Sequence, residues 1–161
     1  MFVAISAMFI FSCKKDPGPK GDTGATGNQG ATGITNVISY SFSTSAVSWT
    51  LNSPIWGCIV FPSQLSSTIA DGGMVVGYIQ IVGEWNPLPK VTFLPNNVQQ
   101  KYQFSFKANE IDLSFLNADW TEPPNPGAQN FRFVFIPPGM IKPYLNYSNF
   151  NEIRSYYDLK D

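Results

Sequence analysis

Histidine is absent from the 161-residue sequence. Its absence removes the commonest general base, the usual Ser-His and Cys-His nucleophile pairs, and most zinc sites. Charge is scarce too: Asp, Glu, Lys and Arg together make up 13% of residues, about half the usual share. The formal net charge is −1, so no broad field points to nucleic acid, and no nucleic-acid partner is expected. There is no Walker-type phosphate loop, no dinucleotide fingerprint and no CxxC pair. No catalytic residue, metal or cofactor is therefore assigned, and the chain reads as a non-enzyme.

Aromatic residues, by contrast, reach 15%. That combination runs opposite to disorder, which needs low hydrophobicity and high net charge. Segments rich in Val, Ile, Thr, Phe and Tyr suit pleated sheets.

The first twelve residues, MFVAISAMFIFS, carry no charged side chain. They are too few to span a bilayer, which takes about 20 residues, but fit the apolar core of a signal peptide. Ile10-Phe11-Ser12-Cys13 then resembles a lipobox, which implies cleavage before Cys13 and a lipid on its thiol. No Lys or Arg precedes the apolar stretch, and Phe11 is bulky for its place; both depart from the pattern. Lys14-Lys15-Asp16 follows as a polar tether. Cys58 lies in the apolar run Trp56-Gly57-Cys58-Ile59-Val60-Phe61 and is expected to be an unreactive core residue.

Glycine then recurs at every third position: Gly18, Gly21, Gly24, Gly27, Gly30 and Gly33, in a run that ends at Thr35. With glycine at about 7% of average residues, chance would produce this register at roughly 10⁻⁷. The period belongs to three polyproline-II-like chains meeting at an axis where only glycine fits. Such a segment would reach about 55 Å at ~3.1 Å per residue. Pro19 is its only proline, so a monomeric spacer and a short triple-helical stalk both remain open.

Residues 36–161 read as a β-rich head. Strands are expected over Val37–Phe42, Val47–Leu51, Trp56–Phe61, Met74–Val82, Lys90–Leu94, Lys101–Lys107, Glu110–Phe115 and Asn130–Ile136. Alternation places Tyr102, Phe104 and Phe106 toward the core, with Asn109 at a hairpin connection. Asp71-Gly72-Gly73 reads as a turn. Short strands with Pro/Gly punctuation point to an all-β fold, an antiparallel β-sandwich or jelly roll. Near the end, Asn149 and Glu152 suggest a capping box, and Phe150, Ile153 and Tyr157 share one helix face. That helix is expected to close one end of the sandwich.

The division is thus a signal peptide at 1–12, a lipidated tether at 13–17, a Gly-X-Y segment at 18–35 and a head at 36–161. This order resembles bacterial collagen-like lipoproteins. Within the head, the resemblance is carried by Ile69-Ala70-Asp71-Gly72-Gly73-Met74-Val75-Val76-Gly77-Tyr78 with Trp85-Asn86-Pro87-Leu88-Pro89. It is carried also by Phe131-Arg132-Phe133-Val134-Phe135-Ile136-Pro137-Pro138-Gly139 with Tyr156-Tyr157-Asp158-Leu159. The resemblance implies a lipid-anchored protein of the bacterial cell envelope, at the outer membrane, and brings no activity. Its implied partners are the bilayer, through acylated Cys13, and a surface polymer or protein ligand at the head. Self-association as a homotrimer is the structural alternative.

Candidate recognition residues are the aromatics expected in or near loops: Trp85, Trp120, Tyr144 and Tyr147. Glu110 and Asp112 share a strand face, but alternate with Ile111, Leu113 and Phe115 as a solvent face would. With Asp119, they are the carboxylates on which a carbohydrate-active enzyme, the least favoured reading, would depend.

Overall fold

The computed structural model describes residues 36–44 and 49–160. The leader, Cys13, the Gly-X-Y glycines and the first part of the expected Val47–Leu51 strand lie outside the described residues.

Among the described residues, nine strands form two antiparallel sheets. The first contains β1 (Ile38–Ser43), β4 (Met74–Ile81), β5 (Glu84–Pro87) and β9 (Asn130–Ile136), ordered β1-β9-β4-β5. The second contains β2 (Thr50–Asn52), β3 (Ile55–Val60), β6 (Lys90–Phe93), β7 (Gln99–Lys107) and β8 (Glu110–Asn117), ordered β2-β3-β8-β7-β6. The chain changes sheet between β1 and β2, β3 and β4, β5 and β6, and β8 and β9. The expected all-β sandwich is therefore the fold.

Side chains at every second position of a strand share one face, and the inner faces of the two sheets meet in one core. Phe131, Phe133 and Phe135 of β9 pack with Tyr40 and Phe42 of β1 and with Ile111, Leu113 and Phe115 of β8. Across the sandwich, Phe104 of β7 meets Phe133 edge-on at 5.0 Å between ring centroids. Tyr102 reaches Phe131 at 6.2 Å, and its burial pushes the phenol up to about 12. Cys58 of β3 belongs to this core at 2% exposure, and burial raises its thiol above the ordinary range, helped by the nearby Asp112 carboxylate. In a chain carrying Cys13→Ser, Cys58 should react with Ellman's reagent only after denaturation; a fast native reaction would contradict its burial.

The outer face of the first sheet is covered as well. Helix α2 (Phe150–Tyr157) and the segment leading to it pack on Tyr78, Val134 and Ile136, forming a second apolar cluster. α2 thus lies over a sheet face instead of closing an end, correcting the sequence expectation. Arg132 projects into this layer from β9. Its guanidinium stacks over Trp85 at 4.9 Å and over Phe150 at 5.0 Å, while Nε donates to Ser41 Oγ at 2.8 Å. A flat, delocalised cation between two rings gains from both stacking and apolar burial of its stem.

Asn149 caps α2, its side chain accepting from the Asn151 and Glu152 amides. Glu152 does not complete a capping box; its Oε1 accepts from the Asn146 amide at 3.0 Å, tying down the incoming turn. Asp71 and Gly72 do not form a turn but end a short helix, α1 (Ser67–Gly72), capped by Ser66 and burying Ile69. Phe106 shares the inward face of β7 but lies near the end of the strand, beyond the core, at 40% exposure. Among the described residues every buried side-chain nitrogen and oxygen has a partner.

The β4–β5 hairpin turns at Val82 (φ 50°) and Gly83 (φ 81°). Left-handed backbone at both central residues is the geometry that favours Asn-Gly, and a β-branched residue tolerates it poorly. Val82 is 98% exposed and buries nothing in return. Val82→Asn should therefore stabilise the protein by about 0.5–1 kcal/mol, read as a higher urea midpoint with unchanged slope.

Candidate functional site

Two of the four aromatic candidates have structural duties. Trp85 sits on strand β5, not in a loop, with its ring 5.7 Å from Phe150 and stacked on Arg132. Tyr147 is half-buried. Its phenol accepts from the Lys142 amide at 2.7 Å, and its carbonyl accepts from the buried Tyr78 phenol at 2.8 Å. Both rings are half-buried and take part in packing, and the expected loop position is corrected for Trp85, which lies on a strand.

Trp120 and Tyr144 are exposed, at 64% and 70%, but the fold separates them. Trp120 belongs to the connection that enters β9 at Asn130, whereas Tyr144 belongs to the segment that leaves β9 after Ile136. They therefore lie toward opposite ends of that strand.

The Trp120 loop is held firmly. Trp120 adopts left-handed backbone (φ 61°), which costs a bulky residue about 1–2 kcal/mol. Its amide bonds the Asn117 carbonyl at 3.1 Å. Asn117 Nδ2 donates to Thr121 Oγ1 at 3.0 Å, and that hydroxyl donates to Asp119 at 2.7 Å. The Thr121 bonds hold the Asp119 carboxyl below its ordinary value, so they weaken only as pH falls through that lowered value. Further along, Trp56 donates to the Pro123 carbonyl at 2.9 Å and Trp49 to the Gly127 carbonyl at 3.0 Å. Two half- to fully buried indoles thereby pin a proline-rich connection and leave one indole, Trp120, projecting.

Tyr144 shares a hydrogen bond with Tyr156 at 2.8 Å, which raises the Tyr144 phenol above its ordinary value. Tyr156 stands edge-on to Tyr157 at 4.9 Å between centroids. Tyr157 in turn donates to the Met140 carbonyl at 2.6 Å; burial, then its bond with Tyr147, raises its phenol. Tyr156 and Tyr157 form one wall of a groove of about 760 Å³, whose other side is the start of β1. Sequence reasoning missed this groove, because its walls are far apart in the chain. The signal was the clustering of Tyr144, Tyr147, Tyr156 and Tyr157 around one short helix.

The carboxylates do not converge. Glu110 and Asp112 lie on the outer face of the second sheet, where Glu110 pairs with Lys107 at 2.9 Å. Asp119 lies beyond the opposite end of β8. Among the described residues no three His, Cys, Asp or Glu side chains gather as a metal site, and no helix is long and apolar enough to cross a membrane. No family model, curated protein or solved structure matches the chain.

Proposed function

We propose that the protein is a lipid-anchored component of the bacterial cell envelope, at the outer membrane, whose β-sandwich head is a non-catalytic binding module. The observation that carries this reading is the order of parts in the sequence. Ile10-Phe11-Ser12-Cys13 provides an anchor, six glycine triplets provide reach, and the sandwich begins at Ile38, almost directly after them. The lack of histidine and the scattered carboxylates favour binding over catalysis. A rigid sandwich with a pinned, projecting Trp120 and a tyrosine-walled groove is suited to presenting contact surfaces to a surface polymer or a protein.

Metabolic labelling with an alkyne fatty acid tests the anchor. Label should appear on the native chain, disappear with Cys13→Ser, and follow the protein into the membrane fraction. An unlabelled, freely secreted product would overturn the reading.

The glycine period supports a second reading, in which the head trimerises and the run winds as a short stalk. Sedimentation equilibrium of a chain beginning at Lys14 separates the two. A monomer without a triple-helix circular-dichroism signal removes the trimer.

A further inference from the structure

The tyrosine-walled groove runs beside the start of an edge strand. Among the described residues β1 is the outermost strand of its sheet and pairs only with β9. Residues 36–39 are consecutive, yet all of them line the groove. Asn36 and Val37 lead into β1, and its first two residues, Ile38 and Ser39, carry side chains on opposite faces, so the hollow reaches the edge at the start of the strand. An edge presents a row of outward N–H and C=O groups. Ile38 and Ser39 offer about 7 Å of it at ~3.3 Å per residue.

The facing wall is preorganised and carries charge. Tyr157 is fixed by its bond to Met140, and Tyr156 is braced between Tyr157 and Tyr144. Among the described residues, Lys142 and Lys160 line the groove against a single carboxylate, Asp158. Neither lysine forms an ion pair among the described residues. Counted over the described residues, this is a locally basic hollow on a chain whose formal net charge is −1.

We propose that the groove captures an extended acidic peptide segment of a partner protein, which adds to the first sheet as a further strand beside β1. The main chain of the peptide satisfies the β1 edge, its carboxylates meet Lys142 and Lys160, and the exposed ring of Tyr156 packs against its side chains. Strand addition between a sheet edge and a helix supplies affinity through the backbone and selectivity through the flanking side chains. A groove of this volume falls in the usual range for binding sites, about 300–1,000 Å³. An acidic saccharide would meet the same lysines, but it lacks the alternating donors and acceptors that match a strand edge. The proposal rests on the binding-head reading and narrows it to one site and one partner chemistry.

The test uses the mature chain and a fluorescein-labelled acetyl-Glu-Val-Glu-Val-Glu-amide probe. Binding is expected, with affinity falling about two- to fivefold in Lys142→Gln and again in Lys160→Gln. N-methylation of alternate peptide bonds in the probe should weaken it more than about tenfold, because the added methyls block strand pairing. Amide exchange at residues 36–39 should slow on binding. Equal binding of the N-methylated probe, indifference to both lysine variants, preference for tetragalacturonate, or no binding at millimolar probe would each overturn the proposal. The acyl label distinguishes the two failures. A labelled Cys13 with no peptide binding rejects the groove alone, whereas peptide binding by an unlabelled chain rejects the anchor alone.

Discussion

Phe133→Ala is expected to cost about 3–5 kcal/mol, at the upper end for single core truncations. Phe133 is fully buried in one of the two inner strands of its sheet. Its ring meets Phe104 of the opposite sheet edge-on at 5.0 Å and stacks on Phe42 at 6.2 Å. Gly77 lies so close that a Cβ there would sit 2.6 Å from the Phe133 ring. Removing the ring therefore opens a cavity between two sheets that are each held by their own hydrogen bonds and cannot easily close on it. Phe93 makes the contrast. At 68% exposure on edge strand β6, Phe93→Ala should stay within about 0.5 kcal/mol. Urea unfolding of the two variants checks both; similar midpoints would mean that Phe133 does not fill the core as described.

The strands were legible because one face of most of them is wet. In β7 and β8, Tyr102, Phe104, Ile111, Leu113 and Phe115 alternate with polar residues, and the period alone gives both the strand and its inward face. The layer outside the first sheet was less legible. Phe131-Arg132-Phe133-Val134-Phe135-Ile136 and the run from Met74 to Ile81 are apolar on both faces, which is the mark of a strand covered on both sides. α2 and its lead-in supply that cover. Arg132 breaks the apolar run, but nothing in the local sequence shows that Trp85 and Phe150 will stack on its guanidinium. α1 escaped because six residues of Ser, Thr, Ile, Ala, Asp and Gly show no helical period and have mostly weak helix propensity.

The candidate site divides along the same line. Exposure of Trp120 follows from its place in a polar, proline-rich stretch, and Tyr144 likewise lies in an irregular segment. Trp85 and Tyr147 have similar local sequence, yet each is drawn into the layer over the first sheet by partners distant in the chain: Arg132 and Phe150 for Trp85, Tyr78 for Tyr147. The groove beside β1 was out of reach for the same reason. It exists only because the end of α2 is folded back beside the first residues of the sandwich.

Adjacent glycines give the sharpest test of how the helix–strand junction is built. Gly73 joins α1 to β4 at φ −92°, a backbone value open to other residues, so its requirement for glycine is purely one of space. A Cβ on Gly73 would lie 2.5 Å from the Ile136 carbonyl oxygen and 2.9 Å from that of Ile69. Both obstacles are backbone, so no rotamer change relieves them; α1 would have to move away from the end of β9, disturbing buried Ile69 and Ile136. Gly73→Ala should therefore cost about 3 kcal/mol, toward the top of the range for overpacking. One residue earlier, a Cβ on Gly72 would meet only Pro138 Cγ at 3.4 Å, an ordinary contact. Gly72 closes α1, where alanine is favoured over glycine by up to about 1 kcal/mol, so Gly72→Ala should be neutral or stabilising. Thermal unfolding of the pair should move in opposite directions, or at least diverge by several degrees. Equal loss in both would mean that the junction tolerates no side chain, and equal tolerance would mean that α1 does not press on β9 at Gly73.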